Sequence, residues 1–347
     1  MKNADKKKIA LHFVITDGFS GAESVAAHII RDLPADWEGY YVAPEGDGLR
    51  ICRKMGIKVI PCNTSSLREV KAVIKRMSPD AVHAHDCRMS FICAESGYPF
   101  VAHLHANWDW MKKICPKSIL LAYTCMKADR VICVSESIVR DYVFSSVMKK
   151  KATVLGNTVD EKKVSELSKV GCNERYDLCF VGRMTPVKGP LEFVKIVGAL
   201  KNTIPGIRTV MVGDGELFED VRALIEEKKL SENITLAGFD LNPYKYMKSS
   251  KIQVLCSFVE GFGLVAVEAM ILGLPVVAFP VGGLCDIVND RCGFLCEGWE
   301  EMCLSLNELL CNEELYKRLS AGARERAAKY TDREKYIDNI IKVYGHR

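Results

Sequence analysis

The sequence predicts an α/β protein built as two doubly wound, Rossmann-like domains, each around a parallel sheet. Three observations point there. The 347 residues exceed one ordinary compact domain and suit two. Short apolar runs alternate with helix-period segments along the chain. The alternation stops in the polar stretch Asp160–Arg175, which has no strand pattern and reads as a connector, and starts afresh at Asp177. Ligands bind outside the C-terminal ends of the strands in such folds, so two domains of this kind imply a central cleft that both face.

The elements follow in order. In the first half strands are expected at Ile9–Ile15, Tyr40–Val42, Lys58–Pro61, Ala81–His85, Phe100–His103, Arg130–Val134 and Thr153–Leu155. Helices are expected between them, at Ala22–Leu33, Gly48–Met55, Leu67–Met77, Arg88–Ser96 and Ser137–Val143. In the second half strands are expected at Leu178–Val181, Thr209–Val212, Ile234–Leu236, Ile252–Cys256, Val276–Ala278 and Gly293–Cys296. The matching helices are Pro190–Lys201, Glu216–Lys229, Pro243–Lys248, Leu264–Leu272 and Met302–Leu310, followed by the charged, helix-prone Glu313–Tyr330 and Arg333–Tyr344.

Composition narrows the function class. Hydrophobic residues make up 48% and charged residues 27%, as in soluble globular proteins. A net charge of +4 gives no reason to expect a nucleic-acid partner. Many of the fifteen cysteines sit in apolar strand runs, as Cys133, Cys179 and Cys256 do, which fits small buried hydrophobes in a reducing compartment. Cys292 and Cys296 have no second pair at zinc spacing. The start, MKNADKKKIALHFVI, reads as a first strand and not a signal peptide. No window reaches the length of a membrane span. The expected location is cytoplasmic, with peripheral attachment to the inner face of a membrane as the variant.

The segment SFVEGFGLVAVEAM, Ser257 to Met270, carries the most chemistry. Glu260 and Glu268 flank a Gly-Phe-Gly turn that opens an apolar helix and can turn free N–H groups to an anion. Glu268 falls among Val265, Val267, Ala269 and Met270, where a carboxylate needs partners. Vicinal sugar hydroxyls would serve. A surface helix with two solvated glutamates is the plain alternative. In VGRMTPVKGP, Arg183 and Lys188 stand on a loop between a strand end and a helix start, a placement that suits a diphosphate. The pattern is not that of a nucleotide-hydrolase phosphate loop. In TDGFSGAES, Gly18 and Gly21 allow close backbone approach at a helix N-terminus, and Glu23 complements the dipole. His105 lies just past a strand end, within hydrogen-bonding reach of a ligand hydroxyl. His83, His85 and His103 read as strand or supporting residues; their alternating positions give no recognised metal-ligand set. Gly213 in VGDGE and Gly238 in LAGF either wall a base pocket or make plain turns.

VGRMTPVKG, VGDGE, LAGF and EGFGLVAVEAM, in this order and spacing, resemble the retaining nucleotide-sugar glycosyltransferases of glycosyltransferase family 4, with the GT-B fold. SGAES, His105, VSES at Val134–Ser137 and GNTVD at Gly156–Asp160 are similar to the N-domain pattern of that family. The resemblance covers essentially the whole chain. It implies domains at 1–160 and 176–330, a connector at 161–175, and a last helix within 331–347 that crosses back to the first domain. It implies that Arg183 and Lys188 bind the donor diphosphate and that Glu268 holds the nucleotide ribose. Glu260 would lie near the sugar hydroxyls, Phe262, Gly263 and Leu264 would offer backbone contacts, Gly21 would approach the diphosphate, and His105 would stand close to the reacting sugar. Arg183, Lys188, Glu260 and His105 are thus the expected catalytic set. Two departures stand out: the family's Gly-Gly is Ser20-Gly21 here, and its Asn-Gly-Val-Asp reads Asn157-Thr158-Val159-Asp160.

The reaction so implied is transfer of a hexosyl or N-acetylhexosaminyl group with retention, from a nucleoside diphosphate sugar, with UDP preferred over GDP or ADP. The leaving phosphate would help deprotonate the acceptor. No Asp-x-Asp occurs in the sequence, so the reading needs no metal, and the nucleotide sugar is a substrate and not a cofactor. A glycan or lipid-linked acceptor in cell-surface polysaccharide or glycolipid synthesis is expected. WMKKICPKSILLAY, Trp110 to Tyr123, mixes Lys112, Lys113 and Lys117 with apolar residues, and Lys149–Lys151 add a second basic cluster. Either they dock on anionic lipid or the segment is an ordinary solvated helix. The rival readings are a sugar-nucleotide epimerase or hydrolase on the same fold, and a non-catalytic partner subunit. The first would want more acid/base residues than His105, and the second predicts damage to a donor site whose residues are present.

Overall fold

The computed structural model describes residues 7–171 and 174–345. It divides into two compact units, one formed by the residues up to Asn157 together with those from Arg333, the other by Thr158–Asp332. The first unit holds β1 (Lys8–Phe13), β2 (Trp37–Ala43), β3 (Lys58–Pro61), β4 (Ala81–His85), β5 (Val101–Leu104), β6 (Arg130–Cys133) and β7 (Ala152–Val154). Their order in the sheet is β3-β2-β1-β4-β5-β6-β7. The second unit holds β8 (Tyr176–Val181), β9 (Thr209–Val212), β10 (Ile234–Gly238), β11 (Ser250–Leu255), β12 (Val276–Ala278) and β13 (Gly293–Leu295), ordered β10-β9-β8-β11-β12-β13. Every pairing is parallel.

Helices cover both faces of such sheets, so the strands are buried on both sides and read as continuous apolar runs. β4 and β9 are buried at every residue. Strand order reverses between β1 and β4 in one unit and between β8 and β11 in the other. These are the points at which a doubly wound sheet opens a crevice beyond its strand ends.

The helices begin where the chain supplies caps. Ser66, Asp160 and Asn312 each accept a backbone N–H three residues on, and Pro116 and Pro190 occupy first helical positions, where a missing N–H costs nothing. The segment expected as a connector, 161–175, contains the helix Glu161–Ser168. That helix packs on the helices Tyr244–Lys248 and Leu264–Ile271 and is counted with the second unit. Its apolar face is only Val164 and Leu167, too short a pattern to stand out. Two more short helices, Ser145–Lys149 and Leu284–Ile287, were not expected from the sequence, and the expected Ser137–Val143 is Glu136–Asp141. The last helix, Arg333–Gly345, is bound to the first unit through Arg333 Nε to Asp32 Oδ2 at 2.9 Å and through the buried Tyr344.

Two glycines have opposite meanings. Gly189 has φ +62, and a Cβ there would lie 2.2 Å from the carbonyl oxygen of Cys256. Gly21 is the first residue of its helix, and a Cβ there would meet nothing within 4 Å. Gly189→Ala should therefore cost about 3 kcal/mol and lower Tm by several degrees. Gly21→Ala should leave Tm unchanged or slightly raised, because alanine is the better helix former. Thermal melts of the two variants beside the wild type check both.

Candidate functional site

In the second unit the chain leaves β8 through Gly182, Arg183 and Met184, makes a short turn at Pro186–Lys188, and enters the helix Pro190–Leu200. From β11 it runs through Cys256–Gly263 into the helix Leu264–Ile271. The two turns are tied together, with Phe258 N–H donating to Val187 O at 2.9 Å. This brings Lys188 Nζ within 2.6 Å of Glu260 Oε2, and both side chains are largely buried. A cavity of about 40 Å³ opens beside the pair, lined by residues of both strand ends, among them Gly182, Ser257 and Gly263. Arg183 is exposed and has no acidic partner among the described residues.

Gly263, at φ +102, precedes the helix, whose first N–H groups have no intrahelical partner and can meet an anion. Leu264 is the first residue of that helix, and the Phe262 ring is buried edge-on to Tyr330 at 5.5 Å. Gly213 N–H donates to Gly238 O at 2.8 Å, and a Cβ on Gly213 would strike Gly182 O. These two glycines thus make the turns that gather the ends of β8, β9 and β10.

Glu268 stands one helical turn further in, half-buried, with Oε1 accepting from Tyr244 Oη at 2.9 Å. Burial pushes its carboxyl up to about 7, against the Tyr244 hydrogen bond and the charge of Lys163. In the sequence Tyr244 reads as an ordinary apolar position of its short helix. Only the packing of that helix against Leu264–Ile271 reveals the phenol as the carboxylate's partner.

The first unit places its expected residues at the ends of β1, β4 and β5. Gly21 opens the helix Gly21–Asp32. Glu23 does more than complement the dipole. It is buried, and it accepts from Ser20 N–H, Ser20 Oγ and Thr16 Oγ1 at 3.0, 2.5 and 2.6 Å. Burial raises its carboxyl, and these hydrogen bonds overcome that and hold it below the ordinary value. His105 follows β5 and is half-buried; burial lowers its imidazole to about 4. His83, His85 and His103, which showed no recognised ligand set as a sequence, are drawn together with His12 and His105 into one cluster. Ring nitrogens of His12, His83 and His85, and of His85, His103 and His105, lie within 4.8 Å of one another. All cysteines among the described residues are free, including Cys292 and Cys296.

Two family models match in tandem: Glycosyltransferase Family 4 over residues 19–163 and Glycosyl transferases group 1 over residues 159–326. The chain belongs to the GT4-type glycosyltransferases of GT-B fold. It is 29% identical over 286 residues to an uncharacterized glycosyltransferase of Methanocaldococcus jannaschii, covering 79% of this chain and 77% of that one. It is 25% identical over 321 residues to the Escherichia coli UDP-Gal:alpha-D-GlcNAc-diphosphoundecaprenol alpha-1,3-galactosyltransferase, covering 81% of each. Among solved structures, Anabaena HepE in complex with UDP superposes with a TM-score of 0.86 at 18% identity, covering 98% of this chain and 100% of that one. That last likeness is one of fold.

The state of Glu268 gives this glycosyltransferase a pH signature. A carboxyl whose folded pKa is raised holds its proton in the native state after the unfolded chain has lost it. Native stability therefore falls as pH rises from about 4.5 to about 7, and the deficit is complete above that window. Glu268→Gln removes this contribution. Urea midpoints of wild type and variant, without ligand, should coincide at pH 4.5 and separate by pH 8 in favour of the variant.

Proposed function

We propose that this glycosyltransferase moves a hexosyl or N-acetylhexosaminyl group from a UDP-sugar to a glycan or lipid-linked acceptor, with retention and without a metal. The observation that carries the reading is the Lys188–Glu260 pair beside the exposed Arg183, at the β8/β11 switch point and next to a helix N-terminus. A departing diphosphate needs fixed positive charge where its own charge develops. Arg183 grips two oxygens, Lys188 supplies a point charge, and the helix N-terminus adds N–H donors. Glu260 orients the ammonium and is assigned to the sugar hydroxyls. Glu268 is assigned to the ribose: its raised carboxyl stands beside a neutral phenol, surroundings that favour neutral hydroxyls over another charge. Gly21 is assigned to the diphosphate, since no packing demand explains a glycine there. His105 is assigned to the reacting sugar. The leaving phosphate takes the acceptor proton as the new glycosidic bond forms on the face it vacates.

The activities of relatives favour these choices. One acts on UDP-Gal and a diphosphoundecaprenol acceptor, and another, from Campylobacter jejuni, is an N-acetylgalactosaminyltransferase acting on a diphospho-undecaprenol substrate. HepE has been crystallised with UDP-glucose. Work at the inner face of a membrane in polysaccharide or glycolipid synthesis follows from the same reading. No described helix is long and apolar enough to cross a membrane. The segment around the helix Pro116–Lys127 instead exposes Ile114, Ile119, Leu120 and Met126 beside Lys112, Lys113 and Lys117. Apolar side chains rimmed by lysine suit an anionic bilayer surface. In the second basic cluster Lys151 is engaged with the carbonyls of Met126 and Ala128, which leaves Lys149 and Lys150 as its exposed members.

A thermal-shift panel of UDP-, GDP- and ADP-sugars should single out a UDP-sugar, and EDTA should leave turnover unchanged. The product should keep the donor's anomeric configuration by proton NMR. Lys188→Ala should lower kcat about 10²–10³-fold with a smaller effect on donor KM; unaltered turnover refutes the role of the lysine. In flotation, the protein should rise with vesicles containing anionic lipid and not with neutral ones, and Ile119→Ser/Leu120→Ser should abolish the effect.

A further inference from the structure

Five histidines and a tyrosine of the first unit stand in single file. His105 Nε2 meets His85 Nδ1 at 2.9 Å, and His85 Nε2 meets His12 Nδ1 at 3.1 Å. His12 Nε2 meets the Tyr344 hydroxyl at 3.2 Å, and the hydroxyl meets His83 Nδ1 at 2.7 Å. His83 Nε2 meets His103 Nδ1 at 3.0 Å. His103 Nε2 ends the file, buried and without a partner. The other end is His105 Nδ1, which has no partner among the described residues.

A metal ion is the first alternative to weigh. It would need nitrogens from three rings converging on one point. The hydrogen-bonded rings instead meet end to end, and the file doubles back so that His83 stacks on His85 and His103 lies over His105, with centroids 4.5 and 4.0 Å apart. His85 and His105 have centroids 5.1 Å apart and planes 14° apart for a nitrogen contact of 2.9 Å. His12 with His85, and His83 with His103, repeat the arrangement at 5.4 and 5.1 Å. Each nitrogen along the file thus points at a single neighbour, as in an N–H···N hydrogen bond.

Burial keeps these rings neutral, lowering His12 to about 3 and His105 to about 4, with His83, His85 and His103 also well down. A neutral imidazole has one donor and one acceptor. Each ring therefore passes the direction of donation to the next, and because a Tyr344 hydroxyl that accepted from both sides would leave its own buried O–H without an acceptor, the whole file runs one of two ways. Run from His105 inward, it ends on a buried His103 N–H with nothing to accept it. Run outward, it ends inside on a bare lone pair. A buried orphan donor is the rarer and costlier of the two. The outward direction makes His105 Nε2 an acceptor and puts the proton on Nδ1.

We propose that the file locks His105 in its Nδ1–H tautomer, so that the residue offers a hydrogen-bond donor, and not a base, beyond the end of β5. His85, His12, Tyr344, His83 and His103 are positioning residues for it. The inward end is closed, so the file holds a proton in place and does not conduct one to solvent. Taken with the reading of His105 as the residue nearest the reacting sugar, on which this consequence rests, the donor steadies a sugar oxygen. The acceptor proton must then go elsewhere, to the leaving phosphate.

Long-range proton–nitrogen spectra of the full chain, labelled with ¹⁵N-histidine, read the tautomer directly without substrate. The expected result is a protonated Nδ1 and a bare Nε2 on His105, assigned by the signals lost in His105→Gln. The opposite tautomer, or an averaged pair, overturns the proposal, and so does one equivalent of bound transition metal in the purified protein. Tyr344→Phe cuts the file in the middle. His105 should then sample both tautomers, and kcat should fall about tenfold while donor KM holds. An unaltered His105 spectrum in that variant overturns the coupling through Tyr344. If no nucleotide sugar binds, the glycosyl-transfer reading fails while the spectra still decide the tautomer.

Discussion

The candidate site of the second unit depends on one backbone contact, the approach of the turn after β8 to the turn after β11. Phe258 N–H reaches Val187 O, and the Cα of Gly189 lies against Cys256 O. A third strand of chain locks in behind them: a Cβ on Gly282 would overlap Glu260 O, and Gly283 N–H donates to Gly261 O at 3.1 Å. Only with these turns pressed together do Lys188 and Glu260, 72 residues apart, come within 2.6 Å. The ion pair is a consequence of that packing and contributes little stability of its own, since partly screened pairs rarely do. Its value is orientation, because the carboxylate holds the ammonium at the mouth of the cavity.

The two glutamates of this segment are put to different uses by their surroundings. Glu260 has a cation at hydrogen-bonding distance. Glu268 has a phenol, with Lys163 as its attractive charge, and burial outweighs both. The same side chain therefore faces a cation at one position and, at the other, a buried setting in which it holds its proton more readily. A ligand that is anionic at its diphosphate and neutral at its sugars matches this division.

Much of this was legible in the sequence. Lys58–Pro61, Ala81–His85, Thr209–Val212 and Val276–Ala278 fall at the expected residues, because strands buried on both faces declare themselves as apolar runs between polar turns. The strand-end positions of Arg183, Lys188, Glu260 and His105 follow from β8, β11 and β5, which lie within two residues of their expected bounds. What escaped needed three dimensions. Tyr244 becomes the partner of Glu268 only through helix packing. The helix Glu161–Ser168 has too narrow an apolar face to show a period. The histidine file depends on register: His12 lies beside His83 across β1 and β4, and His85 beside His103 across β4 and β5. Alternation within β4 puts His83 and His85 on one face, but no single strand reveals what faces them.

The strand ends of the two units present different polar surroundings. The first encloses Glu23 with three donors from Thr16 and Ser20 and joins its histidines to one another and to Tyr344, while Tyr41 Oη, Thr64 Oγ1, His103 Nε2 and Asn107 Oδ1 stay buried there without a partner. A file joined in this way fixes geometry, because turning one ring would unpair its neighbour. The second unit leaves Arg183 exposed and the first N–H groups of the helix after Gly263 without intrahelical partners. In the function proposed above, charge left open in the resting state would meet the departing diphosphate without first displacing an internal partner. A hydrogen-bonded file that fixes geometry in one unit and an open electrostatic cradle in the other are two properties that suit transfer of an activated sugar.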